Sequence, residues 1–108
     1  MTGERTDIST FDADRTVPVD EAAEAFVALL AANRVSYVFL NPGSDTFPIQ
    51  EAIAKFQSLG RPSPDIVLCL HESVALAAAH GYFMITGRPQ VVLVHVDLGT
   101  LQLGGMVH

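Results

Sequence analysis

Tryptophan is absent from the chain and cysteine occurs once, as Cys69. A single cysteine excludes an internal disulfide and fits a reducing compartment. Basic residues are also scarce: six Lys and Arg stand against twelve Asp and Glu, for a net charge of −6. Those six are mostly scattered singly, so no patch exists that could displace counterions from a nucleic-acid backbone. No apolar run approaches the ~20 residues that cross a bilayer. The first residues are polar and acidic, without the apolar core of a secretory signal. The expectation is a soluble, cytoplasmic protein with neither nucleic acid nor membrane as partner. His-x-x-x-His and Cys-x-x-Cys pairs are missing, so no metal ligands are assigned. A P-loop and a Gly-x-Gly-x-x-Gly fingerprint are missing too.

What the chain does have is apolar content, 49% of its 108 residues. That suits one globular α/β domain with a sizeable core. Residues 1–17 carry Asp and Thr throughout without a sustained period, and read as a flexible tail. Residues 18–108 read as the domain. Pro18 and Asp20 open a helix, with Asp20 as N-cap and the acids Glu21 and Glu24 in the first turn. Ala22, Ala25, Phe26, Leu29 and Leu30 recur at helical spacing and predict its packed face. Ser36 to Leu40 is a strand apolar enough to be covered on both sides. Asn41-Pro42-Gly43-Ser44 is a turn. A second helix runs from Phe47 to Gln57, with Ile49, Ala52, Ile53 and Phe56 inward and Pro48 in its first turn.

After the loop Gly60–Pro64 comes the stretch with most chemistry. Ile66 to Leu70 predicts a buried strand that passes without a spacer into a buried, Ala-rich helix ending near Thr86. His71 and Glu72 sit at the junction, the edge where open α/β sheets bind ligands. Gly81 inside that helix suggests a close backbone approach. Val91 to Val96 is a third strand carrying His95 near its end. Asp97 to Thr100 is a turn, and a further helix begins near Leu101. The order predicts a parallel sheet with right-handed crossovers and helices on both faces. Three strands with two open edges, and a last helix without a cap, suggest a domain incomplete at its carboxy end.

Four blocks in order resemble the amino-terminal, pyrimidine-binding domain of thiamine-diphosphate-dependent enzymes of the acetohydroxyacid synthase and benzoylformate decarboxylase group. They are Val38-Phe39-Leu40-Asn41-Pro42-Gly43-Ser44, then His71-Glu72 with His80-Gly81-Tyr82, then Thr86-Gly87-Arg88-Pro89, and last Gly99-Thr100 with Gly104-Gly105. The resemblance covers about Asp20 to His108. It implies that Glu72 activates the cofactor by hydrogen-bonding N1′ of its aminopyrimidine. It places Asn41, Pro42, Gly43, Gly99 and Thr100 at the cofactor, and Ser44 and His71 near the substrate. Such enzymes act on 2-keto acids as decarboxylases or acetolactate-synthase-like carboligases, and some bind FAD. Their Mg2+ and diphosphate are held by a Gly-Asp-Gly…Asn motif in another domain, and that motif is absent here. The active site lies between the pyrimidine domain of one subunit and the diphosphate domain of a second, in a homodimer or homotetramer. This chain would hold half of such a site and be inactive alone. The family often has Asn where Gln102 aligns.

Read without the resemblance, Glu72 is a first-turn acid complementing the helix dipole before it is a catalytic one. Burial favours the neutral acid and the helix terminus the anion. Ser44 reads equally as a turn hydroxyl, and Asn41, Pro42 and Gly43 as turn formers. His71, His80 and His95 read as satisfied, semi-buried groups. The other function classes left open are a non-catalytic binding or regulatory module and an inactive truncated remnant.

Overall fold

A computed structural model of the chain describes Thr16 and residues 18–107. The proposed tail therefore lies, but for Thr16, outside the described residues. The elements run α1 (Ala22–Ala32), β1 (Tyr37–Asn41), α2 (Phe47–Ser58), β2 (Asp65–Leu68), α3 (Glu72–Thr86), β3 (Val91–Val94) and α4 (Val96–Gln102). Short 3-10 turns at Ser44–Thr46 and Gly104–Met106 flank the first and last of the later helices. The three strands form one parallel sheet in the order β2-β1-β3. Central β1 pairs Phe39 with Val67 on one side and with Val92 on the other. Gln90 fixes the start of this register, its Oε1 accepting from the Ser36 and Tyr37 N–H groups at 2.9 and 2.8 Å.

Because successive strand residues point to opposite faces, β1 serves two cores. Val38 packs with Val27 and Leu30 of α1 and with Ala52, Ile53 and Phe56 of α2. Phe39 packs with Cys69 and with Ala75 and Ala79 of α3. The sheet is thus covered on both faces, as the element order predicts. The inward face of α2 is also as predicted, and Pro48 lies within its first turn.

Five local expectations are corrected. In α1 the packed stripe is Ala23, Glu24, Val27 and Leu30, while Phe26 and Leu29 are exposed. Its N-cap is Glu21, not Asp20, and caps without a side-chain hydrogen bond. Strand β2 is not buried: Ile66 and Leu68 are exposed, because α1 and α2 pack over β1 and β3 and leave this edge open. Helix α3 is buried only along Ala75 and Ala79, with Val74, Phe83, Met84 and Ile85 exposed. Finally, nothing approaches Gly81, since a Cβ there would meet no atom within 4 Å. Gly81→Ala should therefore stabilise the fold by about 0.5–1 kcal/mol through the lower entropy cost of a helical Ala. A higher urea midpoint for the variant is the check.

Glu24, the one buried charge among the described residues, joins α1 to α2. Lys55 Nζ donates to Glu24 Oε2 at 2.8 Å and to Asp20 Oδ2 at 2.9 Å. The Asp20 N–H donates to the other oxygen of Glu24 at 3.1 Å. The Lys55 hydrogen bond holds both carboxyls below their usual range, helped at Glu24 by that N–H. Lys55 is pushed up by the same two bonds. Carboxylates depressed in the fold contribute stability above their unfolded values, 3.8 and 4.5, and lose it as pH falls through the folded ones. Lys55→Met should lower the urea midpoint at neutral pH and flatten its decline between about pH 6 and about pH 3. Parallel titrations of both proteins test this.

Candidate functional site at the strand carboxyl ends

All three strands end on one edge of the sheet, and the segments that follow them are tied together there. Asn41, the last residue of β1, donates from Nδ2 to the Cys69 carbonyl at 2.9 Å, joining the ends of β1 and β2. After Pro42 and an extended Gly43 the chain turns through Ser44–Thr46. The Thr46 hydroxyl, 2% exposed, accepts the Gly43 N–H at 3.1 Å and donates to the Gly43 carbonyl at 2.8 Å. Asp45 then reaches across to the end of β3. Its Oδ1 lies 2.5 Å from His95 Nδ1, and its Oδ2 accepts the Val96 N–H at 3.1 Å. The bond from His95 draws the Asp45 carboxyl below its usual range.

Gly43 permits this junction by lacking a side chain. A Cβ on it would stand 2.1 Å from His95 Nδ1 and 2.8 Å from His95 Cβ. The backbone is extended there, φ −149°, so the requirement is close approach rather than a special dihedral.

Glu72 is the first residue of α3, half-buried, and separated from β2 by Cys69, Leu70 and His71 rather than joined without a spacer. Its carboxylate is aimed at Gly99, where a Cβ would stand 3.4 Å from Glu72 Oε2 and 3.1 Å from Val94 Cβ. The acid has no hydrogen-bond partner among the described residues, in contrast to Asp45, Glu24 and Asp20. Gly99 and Thr100 do not lie in a turn, as the sequence suggested, but within α4, which starts at Val96 directly after His95. Gly99 is buried and Thr100 exposed. His71 caps α3: its Nδ1 accepts the Ser73 N–H at 3.0 Å and sits 2.8 Å from the Ser73 hydroxyl. Ser44 and Pro42 are exposed on the same turn.

The edge thus unites Asn41, Gly43, Glu72 and Gly99, with Ser44 beside them. Sequence reasoning missed Asp45 and Thr46 and read His95 as a satisfied, semi-buried group without a role at the site. The signal available was an acid shortly after the first strand and a histidine at the end of the third, which a parallel sheet brings to one edge. A separate hollow of about 580 Å³ lies away from this edge, between α1 and α2, and contains the Lys55 cluster. Among the described residues no group of three or more His, Cys, Asp or Glu could hold a metal ion. No helix among them is long and apolar enough to cross a membrane.

A parallel α/β domain with an acid unpartnered among the described residues at the carboxyl edge of its sheet defines a ligand-binding class rather than one protein. Comparison with known proteins narrows it. Residues 20–108 match the family model of the thiamine pyrophosphate enzyme N-terminal TPP binding domain. The chain belongs to that family. It is also 35% identical over 77 residues to a Mycobacterium tuberculosis protein named as an acetolactate synthase large subunit, IlvX. That match covers 71% of this chain but 14% of the relative. No solved structure matches the chain.

The residues of this edge suit thiamine diphosphate, the group that the family binds. Glu72 offers a half-buried carboxylate without a hydrogen-bond partner among the described residues, and Gly99, by lacking a Cβ, lets α4 stand close to that carboxylate and to Val94.

Proposed function

We propose that this chain supplies the aminopyrimidine-binding side of a thiamine-diphosphate site, in a 2-keto acid decarboxylase or an acetolactate-synthase-like carboligase. The observation that carries the reading is Glu72, an acid at the strand-end edge facing Gly99 and without a hydrogen-bond partner among the described residues. Bound there, the cofactor supplies an electron sink for the electrons left when carbon dioxide departs a 2-keto acid. Glu72 shares a proton with a ring nitrogen through Oε1 or Oε2. Asn41 keeps the first two strand ends together, Gly43 lets the turn that borders the cofactor pack against His95, and Gly99 lets α4 stand close to Glu72. In this reading Ser44, exposed on the turn, meets substrate, and His71 caps the helix that presents Glu72.

The diphosphate and its Mg2+ belong, in this reading, to a diphosphate-binding domain of a second subunit in a homodimer or homotetramer. Exposed Val74, Met84 and Ile85 on α3, with Leu98 and Leu101 on α4, are consistent with such a neighbour. FAD belongs only to the carboligase version.

The test is the melting temperature of the full-length protein with Mg2+ and thiamine diphosphate. A cofactor at a hundred times its dissociation constant stabilises by about 2.7 kcal/mol, which is a clear upward shift. No shift at saturation contradicts the reading and favours the non-catalytic module. Carbon dioxide release and acetolactate formation from a panel of 2-keto acids then separate decarboxylase from carboligase.

A further inference from the structure

Asp45 is an exposed-side acid whose two oxygens are both committed to the end of β3. One meets the His95 ring and the other the Val96 N–H, from residues fifty or more positions away in sequence. An ionised carboxylate only accepts hydrogen bonds. The His95 atom facing it, Nδ1, must therefore carry the proton. In a neutral imidazole one nitrogen donates and the other accepts. Fixing the proton on Nδ1 leaves Nε2 as a bare acceptor, and Nε2 has no partner among the described residues. The ring is 44% exposed, and it is pinned from behind by Gly43, which could not carry a Cβ without striking it.

We propose that Asp45 is a positioning residue: it sets the tautomer and orientation of His95, so that Nε2 stands at the ligand edge as an acceptor for an O–H or N–H of the bound small molecule. The proposal deepens the proposed function and takes its ligand from it. The chemistry of the pair, however, is a property of the chain alone. The same two bonds fasten the turn after β1 to the start of α4, which carries Gly99. Asp45 thereby also fixes how far Gly99 stands from the turn at Gly43.

Long-range 1H–15N correlation spectra of the labelled protein, without cofactor and above the titration of the ring, read the tautomer directly. His95 is assigned by the signal lost in His95→Gln. Wild type should show a protonated Nδ1 and a bare Nε2. Asp45→Ala should move the proton to Nε2, the form an unrestrained imidazole favours. A wild-type ring protonated on Nε2 overturns the proposal, and so does an Nδ1–H form that persists unchanged in a folded Asp45→Ala. If Asp45→Ala does not fold, the wild-type tautomer decides alone. Because no thiamine diphosphate is present, a failed cofactor titration with the expected tautomer sinks the proposed function and not the Asp45 assignment.

Discussion

Replacing Glu72 with Gln should reduce turnover of the full-length enzyme by roughly 10²–10⁴-fold, the usual contribution of a positioned acid or base, while leaving the fold intact. The substitution keeps the shape of the side chain and removes only its charge and exchangeable proton. Within the domain no hydrogen bond depends on that charge, since the carboxylate has no partner among the described residues. A dipole acid would behave differently. Favourable interaction with a helix terminus is worth about 0.3–1 kcal/mol, so its loss would show in stability and barely in rate. Measuring turnover and melting temperature on the same preparations separates the two. A rate within a few-fold of wild type, beside a lowered melting temperature, would return Glu72 to a structural role.

Gly43→Ala should destabilise the domain by about 1–3 kcal/mol, the range for forcing an added methyl group into packed space. The new Cβ would stand 2.1 Å from His95 Nδ1 and 2.4 Å from Cγ. The ring cannot swing aside cheaply, because its own Cβ is also within 2.8 Å and Asp45 holds Nδ1. Either the imidazole leaves Asp45 or the turn lifts from α4. Urea unfolding of Gly43→Ala against wild type gives the magnitude. An unchanged midpoint would mean that the turn and the end of β3 do not meet as described. The contrast with Gly81→Ala sharpens the point: the same added methyl is expected to help where space is open and harm where it is not.

These two glycines also show what was legible in the sequence. In the sequence Gly43 reads as a turn former, and the close approach is expected at Gly81, the helical one. Which glycine is crowded depends on what folds against it, and His95 reaches Gly43 only through the pairing of β1 with β3. The same limit explains α1. Its sequence is apolar nearly all round, so two stripes compete, and the sheet together with the Lys55 bond to Glu24 selects the one containing Val27 and Leu30. The face of α2 was legible because Gln50, Glu51 and Lys55 leave only one apolar side.

In β2, the run from Ile66 to Leu70 has the composition of a buried strand, but edge position is a property of the sheet order. The start of α4 was missed because Val96 continues the apolar run of β3, and the capping carboxylate comes from Asp45. The candidate site was more legible than the packing around it. Asn41, Gly43, Glu72 and Gly99 lie at or just after strand ends, and parallel strands carry their carboxyl ends to one edge whatever covers the faces.

The central claim is that the Glu72 carboxylate meets a ring nitrogen of the aminopyrimidine. The most direct measurement is the 15N spectrum of thiamine diphosphate labelled at N1′, bound with Mg2+ to the full-length protein and to Glu72→Gln. The account predicts an N1′ signal moved toward the protonated form in the wild-type complex and back toward that of free cofactor in the variant. Identical N1′ signals in the two complexes, with cofactor bound in both, would contradict it.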